Sequence, residues 1–378
     1  MANYSNDAAC IIGVGASPQG KLPGYSGDDL AIIAVREALT DAGLERTAVD
    51  ALLVQRSYAG NGDLREIGHR LGLAPALSWS VACLGEALEA AWMAIAGGLI
   101  DSALLVYGTN QRTNRNEFAQ SAYHVGGNFD QVYGLANPGS VAAFNFRRRM
   151  HDYGATEEQL AAITVAQSRA AALNPLAVYR KPVSREEYLR SEYVIAPLRI
   201  SDFSMISDGA FALVLGSAAL ARSSAQAPVY INAISYQSNF RELAEPDAMY
   251  HPSQRPNAAR LWERSDFAPG DVDALYVQDA YTPNVLAALE NYGFCELGTA
   301  HEWIQGGRIE LDGELPVNVN GGQNRMTYMV GWQNAFDAVK QVRHQADMPG
   351  RQLSKCDNVL LTMSTGLWQQ TCSMVLHG

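Results

Sequence analysis

The sequence has few cysteines and no paired ones. There are five, an odd number, and they lie far apart without any Cys-x-x-Cys motif. This spacing argues against both a disulfide framework and a zinc knuckle. No metal site is therefore predicted, and any cysteine that matters for function acts alone. The five are Cys10, Cys83, Cys295, Cys356 and Cys372.

Long apolar runs and basic runs are also missing. No run reaches the roughly 18 apolar residues of a membrane helix, and the start, MANYSNDAACIIGVG, lacks the basic flank and cleavage site of a secretory signal. We expect no membrane span and a cytoplasmic location. A net charge of −11 without a Lys/Arg-rich run argues against a nucleic-acid partner. The arginine triplet 147–149 is interpreted as a solvated helix face, with phosphate contact as the alternative.

Nucleotide-binding glycine motifs are absent as well. The stretch GVGASPQG, residues 13–20, has no third glycine at the spacing of a dinucleotide fingerprint, and no GxxxxGK[ST] occurs. Nucleotide-dependent redox and phosphoryl-transfer chemistry are therefore disfavoured. No bound cofactor is predicted.

The chain does contain an internal repeat. VDALLVQ (49–55) returns as VDALYVQ (272–278), and DSALLVYGT (101–109) is echoed by DNVLLTMSTG (357–366). Each copy follows a helix-like stretch and runs into apolar, strand-like residues. Internal duplication is the simplest interpretation.

The repeat divides the chain into two halves, residues 1–222 and 228–378. The small, polar segment SSAQAP (223–228) lies between them, and the 48% hydrophobic content is ample for a large core. Alternating strands and helices predict an α/β fold in which helices cover a parallel or mixed sheet.

Three phrases carry a family resemblance: SDGAFALVLGSA (207–218), QDAYTPNVLAALENYGFCELG (278–298) and LPVNVNGG (315–322). Together with the duplication they resemble the thiolase superfamily, and within it the sterol-carrier-protein-type thiolases and steroid side-chain aldolases, or lipid-transfer proteins. The resemblance spans nearly the whole chain. It implies two βαβαβαββ halves in an α-β-α-β-α layered arrangement, and an acyl-CoA substrate that brings coenzyme A as its own part.

A thiolase of this kind uses a cysteine nucleophile at a helix N-terminus. Cys83 immediately precedes the helix-like stretch GEALEAAWMAIAGG. Counted from Pro75 it matches the family's cysteine, whereas counted back from the end of the helix it lies about two residues out of register. The alternative for Cys83 is a buried, inert core cysteine.

The histidines of the family are missing. Thiolases carry Gly-His-Pro in the loop after Asn-x-x-Gly-Gly, and here that loop reads NGGQNRMTYMVGW, with Tyr328 at the histidine position. The usual His-Asp dipeptide is Gln278-Asp279, and STG (364–366) replaces the C-terminal glycine-flanked cysteine. None of the seven histidines lies in the two histidine-bearing motifs.

Tyr328 instead matches the aldolase branch. A retro-aldol reaction needs an acid–base group and hydrogen-bond donors near the thioester oxygen, and no strong nucleophile. That branch has a second tyrosine where Gln278 stands, so Asp279, Tyr281 or Cys83 takes part here, or the substrate differs. Packing is the alternative role for Tyr328, and helix capping is the alternative for Asp279.

The glycine pair after Asn320 predicts a tight loop. Gly321 and Gly322 let the backbone adopt a positive φ or approach a ligand closely, which suits a CoA-thioester pocket. With Gln278 and Tyr281, these three residues form the predicted substrate-binding set. A simple turn is the alternative.

Three functions remain open. Tyr328 favours retro-aldol cleavage of a bulky β-hydroxyacyl-CoA, whereas Cys83 favours a divergent thiolase or acyltransferase that is acylated on the cysteine. A subunit that only binds acyl-CoA or lipid is the third. The resemblance also implies a homodimer formed near Cys83, and a small OB-fold and zinc-ribbon accessory subunit with segment 110–135 at its interface.

Overall fold

Strands and helices alternate along most of the chain in the computed structural model. It describes residues 4–57, 61–115, 132–133, 135, 137–239, 253–346, 348–365 and 370–378. The strands are β1 (Ala9–Ala16), β2 (Ala51–Gln55), β3 (Leu77–Val81), β4 (Ser102–Asn110), β5 (Tyr193–Ile195), β6 (Leu198–Arg199), β7 (Asp208–Ser217), β8 (Val229–Ser238), β9 (Ala274–Val277), β10 (Asn358–Thr365) and β11 (Gln370–His377).

The helices surround and separate the sheet strands. They are α1 (Gly27–Ala42), α2 (Leu64–Leu71), α3 (Leu84–Ala96), α4 (Pro138–Tyr153), α5 (Glu157–Ala172), α6 (Arg185–Arg190), α7 (Ala218–Ala221), α8 (Gln254–Arg264), α9 (Pro283–Asn291), α10 (Ala300–Trp303), α11 (Gly322–Arg325) and α12 (Trp332–Val342). In the described ranges, none of them has the length and apolarity of a membrane-spanning helix.

Nine strands form one continuous mixed sheet in the order β3-β2-β4-β7-β1-β8-β11-β10-β9. The two sets of strands meet between β1 and β8, which share only the pairs Cys10↔Tyr230 and Ile11↔Val229. Such a narrow seam lets the β3–β1 part and the β8–β9 part turn their inner faces toward each other. The division of the chain at 222–228 into two halves stays a prediction.

The layers of helices and sheet are defined by the apolar clusters that each helix shares with a face of the sheet. α3 and α12 pack between the inner faces of both parts of the sheet in one shared core. α1 and α2 cover the outer face of the β3–β1 part, and α4, α5, α8 and α9 cover the outer face of the other part. The predicted α-β-α-β-α layering is therefore present.

The repeated sequences occupy equivalent places. VDALLVQ enters β2 and VDALYVQ enters β9, and both strands pair in parallel with the strand formed by the second repeated phrase, β4 or β10. α3 precedes β4 and α12 precedes β10 in the same way. The residues that cap the two central helices, Cys83 and Gly331, are therefore structural counterparts.

Candidate active site

Side chains of four neighbouring strands form a row that faces the central helices. Cys372 on β11 pairs with Tyr236 on β8 and with Met363 on β10. Gln278 follows Val277, which pairs with Thr362, and the Gln278 N–H donates to Thr362 O at 2.9 Å, so Gln278 lies beside Met363. Residues in register across a sheet project to the same face. We call Tyr236, Cys372, Met363 and Gln278 the cross-strand row.

The N-terminus of α3 lies over one end of this row. Cys83 is its N-cap residue and is buried. A Cβ built on Gly85 would lie 2.5 Å from the Cys372 Cβ and 3.6 Å from the Tyr236 ring. The first turn of α3 therefore rests directly on Cys372 and Tyr236, and only a residue without a Cβ fits there.

The N-terminus of α12 lies over the other end. Its N-cap residue, Gly331, has φ +96°, and a Cβ built there would lie 3.2 Å from Met363 Cγ and 3.6 Å from Gln278 Oε1. Helix N-termini carry unpaired N–H groups and a partial positive charge. The positive ends of two helix dipoles beside one row favour a negative charge there.

Tyr328 is held just before α12. It is 5% exposed, and its N–H donates to Ser207 Oγ at 3.4 Å, which joins the loop to the Ser-Asp-Gly motif at β7. Val330 has φ +45°, a conformation that β-branched residues rarely adopt and that often marks functional sites. The backbone that carries Tyr328 is thus held in an unusual shape between Ser207 and Gly331.

The two glutamines of the repeat have different partners. Gln55 Oε1 accepts a hydrogen bond from Trp332 Nε1 at 2.6 Å. Gln278 is 6% exposed, and among the described residues its Oε1 has no hydrogen-bond partner. A buried amide without a partner is costly, so Gln278 retains hydrogen-bonding capacity for a bound substrate.

Asp279 holds the glycine loop rather than joining the row. It is fully buried and accepts from Gln167 Nε2 at 2.5 Å and from Gln323 N at 2.9 Å. Burial raises the pKa of its carboxyl to about 7. A Cβ on Gly322, which has φ +61°, would lie 2.2 Å from Asp279 Oδ2. These contacts fit the alternative of a capping carboxylate.

The contacts of Asn320 and Gly321 are likewise with other residues of the chain. Asn320 Nδ2 donates to Asn334 Oδ1 at 2.9 Å, and its Oδ1 accepts from Gly322 N at 2.8 Å, which ties the loop to α12. A Cβ on Gly321, at φ +103°, would lie 2.7 Å from the Ala171 Cβ. The predicted tight loop is present, and close packing of the protein accounts for its glycines.

Tyr281 is not part of the cross-strand row. Its ring packs edge-on against Phe203 with centroids 5.4 Å apart, and the two residues form an isolated β-bridge. Of the residues predicted from the sequence, the structure thus gathers Cys83 and Gln278 at the row and holds Tyr328 on the loop that leads to Gly331. The others support the loop or lie beside it.

Sequence reasoning missed Tyr236, Glu86 and the place of Cys372. Glu86, in the first turn of α3, accepts from Ala82 N at 2.9 Å. Burial raises the pKa of Tyr236, and the nearby groups of Cys83 and Glu86 add to the rise. The pairing of Tyr236 with Cys372 depends on the register of β8 against β11, and no local sequence motif predicts that register.

Comparisons with known proteins identify the family of the chain. A family model described as thiolase C-terminal domain-like matches residues 237–378. The chain is 33% identical to the 17-hydroxy-3-oxo-4-pregnene-20-carboxyl-CoA lyase of Mycobacterium tuberculosis, over 95% of this chain and 97% of that protein. It is 32% identical to the steroid side-chain-cleaving aldolase of Thermomonospora curvata, over 95% and 96%.

A solved structure is similar throughout. The Ltp2-ChsH2(DUF35) aldolase matches with a TM-score of 0.87 and 30% identity, over 99% of this chain and 98% of that one. The chain belongs to the thiolase superfamily, in the branch of the steroid side-chain aldolases and sterol-carrier-protein-type thiolases. It is an enzyme of that superfamily, and the predicted fold and family are confirmed.

Asp279→Asn tests the structural role of the buried carboxyl. Because its pKa is raised to about 7 from about 3.9 in the unfolded chain, the wild type loses stability from this group as pH rises from about 4 to about 7. The variant cannot ionise and should lack that loss, which amounts to up to about 1.4 kcal/mol per pH unit.

Denaturant unfolding of both proteins across this pH range measures the difference. Comparison with the wild type cancels other groups that titrate there, such as Asp202, whose pKa burial raises to about 6. Parallel stability curves would contradict the assignment. Turnover at saturating substrate should change little, because Asp279 faces the loop.

Proposed function

We propose that the chain cleaves a bulky β-hydroxyacyl-CoA by a retro-aldol reaction. The observation that carries the proposal is Tyr328, a buried tyrosine at the position that matches the histidine of the family's thiolases, on the loop that leads to Gly331 at the N-terminus of α12. A tyrosine hydroxyl can move a proton to or from an alcohol. The names of the two similar proteins, a lyase and an aldolase, support the same reaction class.

The reaction needs no second substrate. The β-hydroxyl gives up its proton to the phenolate form of Tyr328, the Cα–Cβ bond breaks, and the electron pair of that bond moves into the thioester to form an enolate. A ketone or aldehyde leaves. Tyr328 then gives that proton to the enolate at Cα, which yields the shortened acyl-CoA and restores the phenolate. The positive ends of the two helix dipoles stabilise the negative charge on the enolate oxygen.

A second candidate is an acyltransferase that is acylated on Cys83. The observation in its favour is the position of Cys83 as N-cap of α3, whose first turn rests on Cys372. Against it stands Glu86, whose carboxylate lies within the first turn of the same helix. A carboxylate at the helix N-terminus offsets the positive end of the helix dipole, so it disfavours a thiolate on Cys83.

Two substitutions separate these candidates. Tyr328→Phe keeps the ring and removes the hydroxyl, so folding should hold while kcat falls by roughly 10²–10⁴, the usual contribution of an acid–base group. Cys83→Ala should leave appreciable activity, because the enolate forms without an acyl-enzyme. Steady-state kinetics of both variants is the measurement. The reverse pattern would favour acyl transfer, and no turnover by the wild type on any such substrate would favour a binding subunit.

The edge strand β3 supports a homodimer. It ends the nine-stranded sheet, leads directly to Cys83, and exposes Ser78, Trp79 and Ser80. An unpaired edge that carries an exposed tryptophan is a surface on which a second copy can dock. Docking there would bring two active sites close to one shared interface.

An accessory subunit belongs to the same proposal. The similar Ltp2-ChsH2(DUF35) aldolase carries two protein names, which supports a heteromeric assembly for this chain too. Most of the predicted interface segment 110–135 lies outside the described residues. The proposed setting of the enzyme is the cytoplasm.

Light scattering tests the homodimer. The wild type should show a mass of at least twice the 40.9 kDa of one chain. Trp79→Glu places a charge on the exposed edge and should lower that mass at micromolar concentration. Val194→Glu, at an exposed position on strand β5, is the matched control and should leave it unchanged. A wild-type monomer would contradict the proposal.

A further inference from the structure

Tyr236 lies in the cross-strand row where α3 begins. It pairs with Cys372 across β8 and β11, and its ring lies 3.6 Å from the position of a Gly85 Cβ. Gly85 is the second residue of α3, after the N-cap residue Cys83. The tyrosine is thus placed by strand register and by the close approach of the helix, two independent constraints.

The environment of the Tyr236 hydroxyl favours its protonated form. The side chain is half-buried, and burial raises its pKa, followed by the influence of the nearby Cys83, Glu86 and Cys372 groups. Ser238, two residues further along β8, is its hydrogen-bonding neighbour. A phenol kept protonated acts as a hydrogen-bond donor and does not act as a base.

The rest of the row offers no other hydroxyl. Cys372 and Met363 present sulfur, a poor hydrogen-bonding atom. Gln278, at the opposite end, presents an amide that donates but transfers no proton. Tyr236 is therefore the row's one side chain with an O–H group, and it stands where the N–H groups of α3 are also available.

We propose that Tyr236 is a catalytic residue that donates a hydrogen bond to the thioester oxygen of the bound acyl-CoA, beside the N-terminus of α3. This role rests on the proposed function, because it completes a division of labour with Tyr328. Tyr328 moves the proton of the β-hydroxyl, and Tyr236 stabilises the oxygen on which negative charge develops when the Cα–Cβ bond breaks. Tyr236 keeps its own proton throughout, so no further reactant is needed.

Tyr236→Phe tests the proposal with kinetics. The ring and its packing against Gly85 remain, so kcat should fall by roughly 10²–10³, the usual loss of one oxyanion donor, while KM changes little. Tyr230→Phe on the same strand is the control. Tyr230 stacks on His377 with centroids 5.6 Å apart and packs in the outer-face core, so this variant should keep wild-type turnover.

A spectroscopic readout tests the hydrogen bond without any turnover. Acetyl-CoA labelled with ¹³C at its thioester carbonyl is bound to the protein, together with any subunit that co-purifies, and its carbonyl stretch is recorded by infrared difference spectroscopy. A donated hydrogen bond lowers this frequency. The stretch should be lower in the wild type and in Tyr230→Phe than in Tyr236→Phe.

The outcomes separate the two proposals. An equal carbonyl frequency in wild type and Tyr236→Phe, or equal kcat, overturns the role of Tyr236 and leaves the retro-aldol function standing. A frequency shift in a wild type that has no lyase activity supports the Tyr236 contact and overturns the reaction. Failure of the wild type to bind acetyl-CoA overturns the Tyr236 contact with a thioester oxygen, whereas only absence of turnover on a bulky β-hydroxyacyl-CoA overturns the reaction.

Discussion

Burial of two helices between two sheet faces is the constraint on which the site depends. α3 and α12 have no solvent-facing side along most of their length, and their apolar residues share one core with both parts of the sheet. Duplication places the two helices in equivalent positions, so each begins beside the same ends of the strands. The positive ends of two helix dipoles therefore lie together over the cross-strand row.

Buried polar contacts fix α12 in that position. Asp337 in the middle of the helix forms a salt bridge with the fully buried Arg351, and it accepts from Tyr276 Oη at 2.6 Å. At the start of the helix, Trp332 donates to Gln55 of the opposite part of the sheet. A buried charge pair and directed hydrogen bonds tolerate little displacement. The loop that carries Tyr328 is thereby attached to a rigid element.

Local patterns predicted much of the fold and part of the site. The repeat predicted β2 and β9 as equivalent strands, and the Asn-Gly-Gly phrase located the loop of Tyr328. The role of Asp279 as a loop support was only one of two alternatives, because its burial depends on contacts with distant Gln167. Tyr236 was missed altogether, since its place depends on the register of β8 against β11. That pairing contains an irregularity between Val375 and Leu376, which no local motif predicts.

Dependence on free coenzyme A tests the central claim most directly. Retro-aldol cleavage uses only the β-hydroxyacyl-CoA, whereas thiolytic cleavage transfers an acyl group from the cysteine to a free CoA thiol. Purified protein is incubated with a bulky β-hydroxyacyl-CoA, with and without added CoA, and products are quantified by mass spectrometry. The account predicts equal amounts of carbonyl product and shortened acyl-CoA without added CoA, and no acyl group on Cys83. Cleavage only of β-ketoacyl-CoA, only with free CoA, and through an acylated Cys83 would contradict it.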